Sequence, residues 1–183
     1  MRAFIAIPIG KKLSDEILKL SFSYEQACGA KYLRLTPVKN YHITLCFLGG
    51  INHLQQMHLS DELKLFDYCF DAFELEFDVV SPFPVGYPKV IAIMIKPNDY
   101  LIDLQKKVIK MLKSAKIQYK QTKFIPHLTI ARVKNLKEIQ QQPIYPFVNF
   151  NKKMMLDQIC LYESQLKNTG AIYIKKVTSQ LKV

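Results

Sequence analysis

Two short words of the sequence each occur twice, at nearly the same distance along the chain. FIAI begins at Phe4 and its variant VIAI at Val90, 86 positions apart (90 − 4). HIT begins at His42 and HLT at His127, 85 positions apart (127 − 42). Landmarks that keep their order and spacing are typical of an internal duplication. The chain is therefore expected to fold as two similar halves.

The hydrophobic pattern predicts strand, helix, strand and strand in each half, with turns at Pro and Gly positions. In the first half these are a strand at 3–8, a helix at 14–28 with Asp15 and Glu16 near its start, and strands at 32–36 and 42–48. In the second half they are a strand at 89–95, a helix at 101–115, and strands at 116–122 and 127–133. Further strands are predicted at 73–80, 155–164 and 171–177.

This order of elements predicts an α+β fold in one domain spanning residues 1–183. We expect two pseudo-symmetric lobes, each a mainly antiparallel sheet with helices outside, that face a central groove. Equivalent positions of the two halves would then approach each other near the pseudo-twofold axis.

The repeated HxT words place chemically active residues at equivalent positions. In a strand, residues i and i+2 share a face, so His42 projects with Thr44, and His127 with Thr129. One neutral and one protonated imidazole coexist near neutral pH and can act as base and acid on a phosphodiester. The threonine hydroxyls can donate to the non-bridging phosphate oxygens. These four residues are the predicted catalytic set.

Other chemistries receive less support from the sequence. His53 and His58 lie in a polar segment without such a context, and we assign them no role. Cys46 is expected to share the strand face of His42, which would allow a cysteine nucleophile, although a buried thiol is favoured. No third ligand stands near either HxT word and no GxxxxGK[ST] loop occurs, so neither a metal nor a nucleotide cofactor is predicted.

The bulk composition leaves the partner open. The chain has 26 Lys and Arg against 15 Asp and Glu, a net charge of +11, which suits a polyanion or simply aids solubility. Cys28, Cys46, Cys69 and Cys160 form no CxxC pair and are interpreted as free thiols in a reducing compartment. With no secretory signal and no apolar run near the ~20 residues of a membrane span, a cytoplasmic protein is expected.

The motifs resemble the two-histidine phosphoesterases, and within them the RNA 2',3'-cyclic phosphodiesterases, also called 2'-5' RNA ligases of the LigT or ThpR type. The similar segments run almost end to end: RAFIAIP at Arg2, RLTPVKNYHITLCFLG at Arg34, SPFP at Ser81, FIPHLTIAR at Phe124 and LYESQLKNTGAIY at Leu161. The resemblance implies that His42 donates a proton, that His127 accepts one, and that Arg132 binds phosphate. It also implies a two-lobed α+β fold with no required metal.

The resemblance implies hydrolysis of a terminal 2',3'-cyclic phosphate of RNA to a 2'-phosphomonoester, with reversible 2'-5' RNA ligation as an additional activity. The expected partner is RNA with such an end, for example tRNA fragments or 2'-5'-linked RNA, and the expected state is a monomer. The alternatives left open are a 2'-5' oligonucleotide phosphodiesterase and a non-catalytic module that binds RNA ends. Many relatives carry Trp at the position of Leu35 and a basic residue at that of Cys46, so base stacking is expected to differ here.

Overall fold

The computed structural model describes residues 1–68, 70–134, 146–168 and 170–182. Within these ranges there are three α-helices: α1 (Lys11–Cys28), α2 (His53–Lys64) and α3 (Asp99–Ser114). The strands in the same ranges are β1 (Arg2–Pro8), β2 (Leu33–Leu35), β3 (His42–Gly50), β4 (Phe73–Phe83), β5 (Val90–Ile95), β6 (His127–Val133), β7 (Val148–Leu156), β8 (Gln158–Lys167) and β9 (Gly170–Gln180). Short 3-10 turns lie at Val38–Asn40 and Leu65–Tyr68.

The strands pair antiparallel in one sheet with the order β7-β4-β5-β6-β3-β1-β8-β9, and β2 pairs with β6. Four strands of this order lie on either side of the boundary between β6 and β3. At that boundary the halves of the sheet meet through the residue pair Ile43 and Leu128. The predicted α+β fold with mainly antiparallel strands is confirmed.

The internal repeat is visible in the register of the strands. β1 pairs with β3 as β5 pairs with β6, and each partner in one half has an equivalent in the other. The equivalent pairs are Ala6 with Thr44 and Ala92 with Thr129, then Pro8 with His42 and Met94 with His127. The two words found in the sequence are thus the paired strands at the centre of each half.

One face of the sheet is the apolar core. Ile17 of α1 and Leu104 and Val108 of α3 are fully buried in the same cluster as Ile43 and Leu128. The spacing of buried residues along α3 follows the helical period, which turns one side of the helix to the sheet. Because these helices cover the core face, the central strands present their other face to the groove.

The strand predicted at 116–122 is wrong. Lys116 has a positive φ of 53°, and the amide of Ile117 bonds back to Leu112 O at the end of α3. The segment still follows β3, where Lys120 N donates to Phe47 O at 2.7 Å, but it forms no ladder. The described part of the second half therefore lacks an equivalent of β2.

The apolar run predicted as one strand at 155–164 belongs to two strands. It crosses from β7 to β8 at Asp157, whose carbonyl accepts a hydrogen bond from Leu181 N at 2.6 Å. β7 pairs with β4 in one half, whereas β8 pairs with β1 and β9 in the other. Composition alone does not reveal such a crossing, because both strands are apolar next to it.

One helix and the start of another also differ from the prediction. The helix α2 was not predicted, although Asn52 and Gln55 form a capping box at its start, a signal that the sequence does carry. Helix α1 begins at Lys11, three residues before the predicted start, so Asp15 and Glu16 lie beyond its first turn. Among the helices that the structure describes, none has both the length and the apolar character needed to cross a membrane.

Candidate active site

A β-bulge in β3 sets which of its side chains face the groove. The register between β1 and β3 shifts by one residue at Leu45. Such a bulge reverses the alternation of side chains beyond it, so His42, Thr44 and Phe47 lie on one face. The ring of Phe4 confirms this, because its centroid lies 5.0 Å from that of His42 and 6.0 Å from that of Phe47.

The same irregularity recurs in β6. The register between β5 and β6 shifts by one residue at Ile130. His127 and Thr129 precede this bulge and Arg132 lies beyond it, so that the three share the groove face. Arg132 is exposed, whereas Ile130 is fully buried in the core. In a regular strand His127 and Arg132 would lie on opposite faces, because an odd number of positions separates them. The bulge at Ile130 brings both to the same face.

The bulge in β3 also corrects the expectation for Cys46. We predicted that Cys46 would share the face of His42 and Thr44, and this is wrong, because the shift at Leu45 turns it towards the core. Its side chain is 6% exposed, and burial raises the pKa of the thiol to about 12. A buried thiol is what the sequence favoured, and the nucleophile alternative loses its geometric basis.

The other cysteines show no sign of pairing in the described chain. Cys28 is half-buried and Cys160 is buried, and both are free thiols, as is Cys46. Cys69 lies outside the described residues. The reducing compartment inferred from these residues stays a prediction.

The four predicted catalytic residues surround the Ile43–Leu128 pair. In an antiparallel pair, the residue before one partner lies beside the residue after the other. His42 is therefore placed towards Thr129 on one side of this pair, and Thr44 towards His127 on the other. The structure thus brings the two HxT words together in an arrangement with pseudo-twofold symmetry.

The ring of His42 is fixed on several sides. Its Nδ1 lies 2.6 Å from Asn40 O, and because a carbonyl only accepts, Nδ1 carries the hydrogen and the neutral ring keeps a lone pair on Nε2. Asn40 is buried and donates from Nδ2 to Ala171 O of β9 at 2.8 Å. Phe4 packs against the ring, and Tyr173 meets it edge-on at 5.2 Å.

His127 is held in the equivalent way. Its Nδ1 donates to Ile125 O at 2.8 Å, again the carbonyl two residues earlier in the chain. The ring of Phe83 lies 4.5 Å from the imidazole, between centroids. Both histidines therefore have Nδ1 bound to the backbone and Nε2 available for a ligand.

Burial shifts both histidines towards the neutral form. It lowers the pKa of His42 to about 4, against the opposing bond to Asn40 O, and the charges of His127 and Arg132 lower it further. Burial also lowers the pKa of His127, against the bond to Ile125 O. A bound phosphate would raise both pKa values, because a nearby opposite charge favours the protonated ring.

A groove with a volume of about 420 Å³ opens beside Thr44 and His127. This volume is in the range of pockets that hold small organic ligands. Phe47 projects into it and is half exposed. The aromatic and basic residues of its lining are Phe47, Tyr119, Lys120, Lys123 and Phe124.

The remaining sequence expectations concern metals and the other histidines. In the part of the chain that the structure describes, no group of three His, Cys, Asp or Glu residues is arranged to hold a metal ion. His53 and His58 lie on α2, where His58 pairs with Glu62 at 3.6 Å. Sequence reasoning did not find Phe47, Asn40 or Tyr173, since bulges and contacts with β9 leave no mark on the motif itself.

Comparison with known proteins gives consistent findings. A model of the 2'-5' RNA ligase superfamily matches residues 15–168 of the chain. A protein of Methanocaldococcus jannaschii named RNA 2',3'-cyclic phosphodiesterase is 30% identical over 178 residues, which cover 94% of this chain and 96% of that protein.

Solved structures share the fold. A crystal structure from Thermus thermophilus superposes with a TM-score of 0.84 at 20% identity, covering 100% of this chain and 98% of that one. The apo structure of E. coli LigT superposes with a TM-score of 0.78, also at 20% identity and with coverage of 100% and 98%. At this level of identity the two structures show a common architecture.

Proposed function

The chain belongs to the 2'-5' RNA ligase superfamily, and from this membership and the paired histidines we propose that it is an RNA 2',3'-cyclic phosphodiesterase. It hydrolyses a terminal 2',3'-cyclic phosphate of RNA to a 2'-phosphomonoester. Its substrate-binding residues include Arg132, and its catalytic residues are His42, Thr44, His127 and Thr129. The chain acts as one domain, residues 1–183.

The observation that carries this proposal is that both imidazoles are held by the same hydrogen bond and have the same free nitrogen. Each ring donates from Nδ1 to the carbonyl two residues earlier and leaves Nε2 as the reactive nitrogen. Each is followed at i+2 by a threonine on the same face. A binding site needs only donors, whereas two fixed Nε2 atoms on either side of one axis suit transfer of a proton at each end of a reacting phosphate.

The roles of the two histidines in the chemical step are taken from the family that the motifs resemble, because both rings are held in the same way and the geometry does not distinguish acid from base. His127 Nε2 takes a proton from water as the water oxygen forms a bond to phosphorus. The bond from phosphorus to the 3'-oxygen breaks in line, and His42 Nε2 gives its proton to that oxygen. Thr44 and Thr129 donate hydrogen bonds to the non-bridging oxygens, whose charge must be held through the transition state.

Binding of the substrate prepares His42 for its role as an acid. In the free protein the lowered pKa keeps this ring neutral at pH 7. The negative charge of the cyclic phosphate raises the pKa, so that His42 takes up a proton together with the ligand. Protonation is thus coupled to binding of an anion.

The same residues support ligation when an RNA hydroxyl replaces water as the nucleophile. A 5'-hydroxyl of RNA takes the place of water, loses its proton to His127 and attacks the cyclic phosphate, while the 3'-oxygen leaves with the proton of His42. The product is a 2'-5' linkage, and no ATP is consumed. The groove beside Phe47 would hold the terminal base by stacking.

The finer features of this proposal rest on the sequence. We expect a monomer in the cytoplasm that acts on RNA ends such as tRNA fragments or 2'-5'-linked RNA. The net charge of +11 supports an RNA partner.

One assay separates the candidate functions. Purified protein is incubated with RNA ending in a cyclic phosphate, with linear 2'-5' RNA and with a cyclic mononucleotide, and the position of the product phosphate is determined by phosphorus NMR. A 2'-phosphate from cyclic-ended RNA supports the proposal. Cleavage of linear 2'-5' RNA alone would favour the oligonucleotide phosphodiesterase, and binding without turnover would favour an RNA-end binding module.

A further inference from the structure

Arg34 and Arg132 face each other across two neighbouring strands. β2 and β6 pair antiparallel with Arg34 directly opposite Arg132. Leu33 is fully buried and Leu35 half-buried on the core side, which leaves Arg34 on the groove face. Both arginines are exposed, and directly opposed residues have Cβ atoms about 5 Å apart.

Two like charges in this position are unfavourable unless an anion lies between them. Like charges directly opposite in a sheet destabilise it. In the described part of the chain, no carboxylate forms an ion pair with Arg34 or Arg132. The guanidinium groups suit phosphate because their donors match its oxygen atoms in pairs.

The arginine pair lies at the His42 end of the site. β6 runs from Thr129, beside His42, to Arg132, and the charge of Arg132 lowers the pKa of His42. The opposite end holds the groove of about 420 Å³ described above. There, Phe47 and Lys120 lie at the positions equivalent to Arg132 and Arg34. The two ends of the pseudo-symmetric site therefore differ, because one carries two arginines and the other is lined by aromatic side chains.

We propose that Arg34, together with Arg132, forms a second phosphate subsite that binds the internal phosphodiester next to the cyclic phosphate of an RNA end. The inference rests on the proposed function. Arg34 makes the enzyme favour RNA ends over cyclic mononucleotides, which have no phosphodiester to place there. Arg34 is a specificity-determining residue, and the acid and base remain His42 and His127.

The test combines a change in the protein with a change in the substrate. The substrates are dinucleotides with a 2',3'-cyclic phosphate end, joined by a natural phosphodiester or by a neutral methylphosphonate. The proteins are the wild type, Arg34→Gln, Arg34→Lys and the control Lys19→Gln. Lys19 is exposed on α1, the helix that packs against the core face of the sheet.

For the wild type and Lys19→Gln we expect kcat/KM to be about tenfold higher with the natural linkage, the size of one charge-assisted contact to phosphate. Arg34→Gln should reduce this ratio to near one, mainly through KM, and should lower the slope of log affinity against log salt by about 0.7. Arg34→Lys should give an intermediate ratio, since it keeps the charge and loses the paired donors. An unchanged ratio in Arg34→Gln would overturn the subsite.

Two further measurements distinguish a binding role of Arg34 from a structural one. Arg34→Gln should unfold at or above the wild-type temperature, because it removes a repulsion; a clearly lower temperature would make the pair structural and overturn the inference. Calorimetric affinities for the same dinucleotides ending in a 2'-phosphate should show the same ratios. If the wild type turned over neither substrate, the proposed function would fail, and these affinities would still decide the subsite.

Discussion

The tautomer and orientation of His42 and His127 are set by contacts with their immediate neighbours more than by the strands that carry them. Each ring has its Nδ1 bound to a carbonyl and an aromatic ring packed against it. These contacts fix the tautomer and orientation, which a proton-transfer residue requires. Asn40 extends this support to β9, through its bond to Ala171 O.

Replacing either histidine by alanine should lower kcat on cyclic-ended RNA by at least ~100-fold, the low end for a positioned general acid or base. Affinity for the RNA should change little, because other groups hold the phosphate. His58→Ala on α2 is the matched control, and turnover should remain at the wild-type level. Near-normal turnover of His127→Ala would contradict the assignment.

The low pKa of His42 also predicts how stability depends on pH. A histidine in the unfolded chain titrates near ~6.5, so between about pH 6.5 and 4 the unfolded state binds more protons than the folded state. The free energy of unfolding should therefore fall as the pH is lowered through this window. Urea denaturation followed by circular dichroism should show this fall, and His42→Asn should make it shallower. An equally steep fall in the variant would contradict the cause.

At the scale of elements, the two bulges decide which residues can take part in the chemistry. Strict alternation, applied to the sequence, placed Cys46 on the strand face of His42, and the inserted residue Leu45 turns Phe47 to that face instead. The sequence predicted the HxT strands correctly because His42 and Thr44 precede the bulge. The orientation of the residues beyond the bulge depends on pairing with β1, which no local pattern encodes.

Neighbouring substitutions test this bulge. Cys46→Ala should lower the unfolding temperature, since it leaves a small cavity in the core, and should leave KM unchanged. Phe47→Ala should raise KM for cyclic-ended RNA about tenfold, the loss expected for one stacked base, with little effect on stability. A rise in KM for Cys46→Ala, with none for Phe47→Ala, would show that the face has been assigned wrongly.

At the scale of the whole molecule, the internal duplication accounts for the strand pairs that the two halves share. The differences between the halves account for the proposed specificity for RNA ends. The offset between the repeated words predicted two similar halves, and the structure pairs β1 with β3 in one half as it pairs β5 with β6 in the other. The sequence did not predict that 116–122 would leave the sheet or that 155–164 would divide between the halves. Both departures depend on partners that are distant in the sequence. Because 116–122 leaves the sheet, the end of the site that holds the groove differs from the end that holds the arginine pair.

The proposed catalytic unit consists of imidazoles and hydroxyls from the two halves, so activity should persist after exhaustive chelation and dialysis. Turnover of cyclic-ended RNA in excess EDTA should match that of untreated protein. Loss of activity in EDTA, restored by one added metal ion, would show that the site requires a ligand set beyond the four residues proposed.

The most direct test of the paired acid and base is a substrate in which sulfur replaces the 3'-oxygen of the cyclic phosphate. A thiolate, whose conjugate acid has a pKa of roughly 8.5 by analogy with cysteine, leaves without the proton that an alkoxide requires. Turnover of this substrate should be largely restored in His42→Ala. It should remain low in His127→Ala, because the attacking water still needs its base. Rescue of His127→Ala instead would reverse the two roles, and rescue of neither would contradict a paired acid and base.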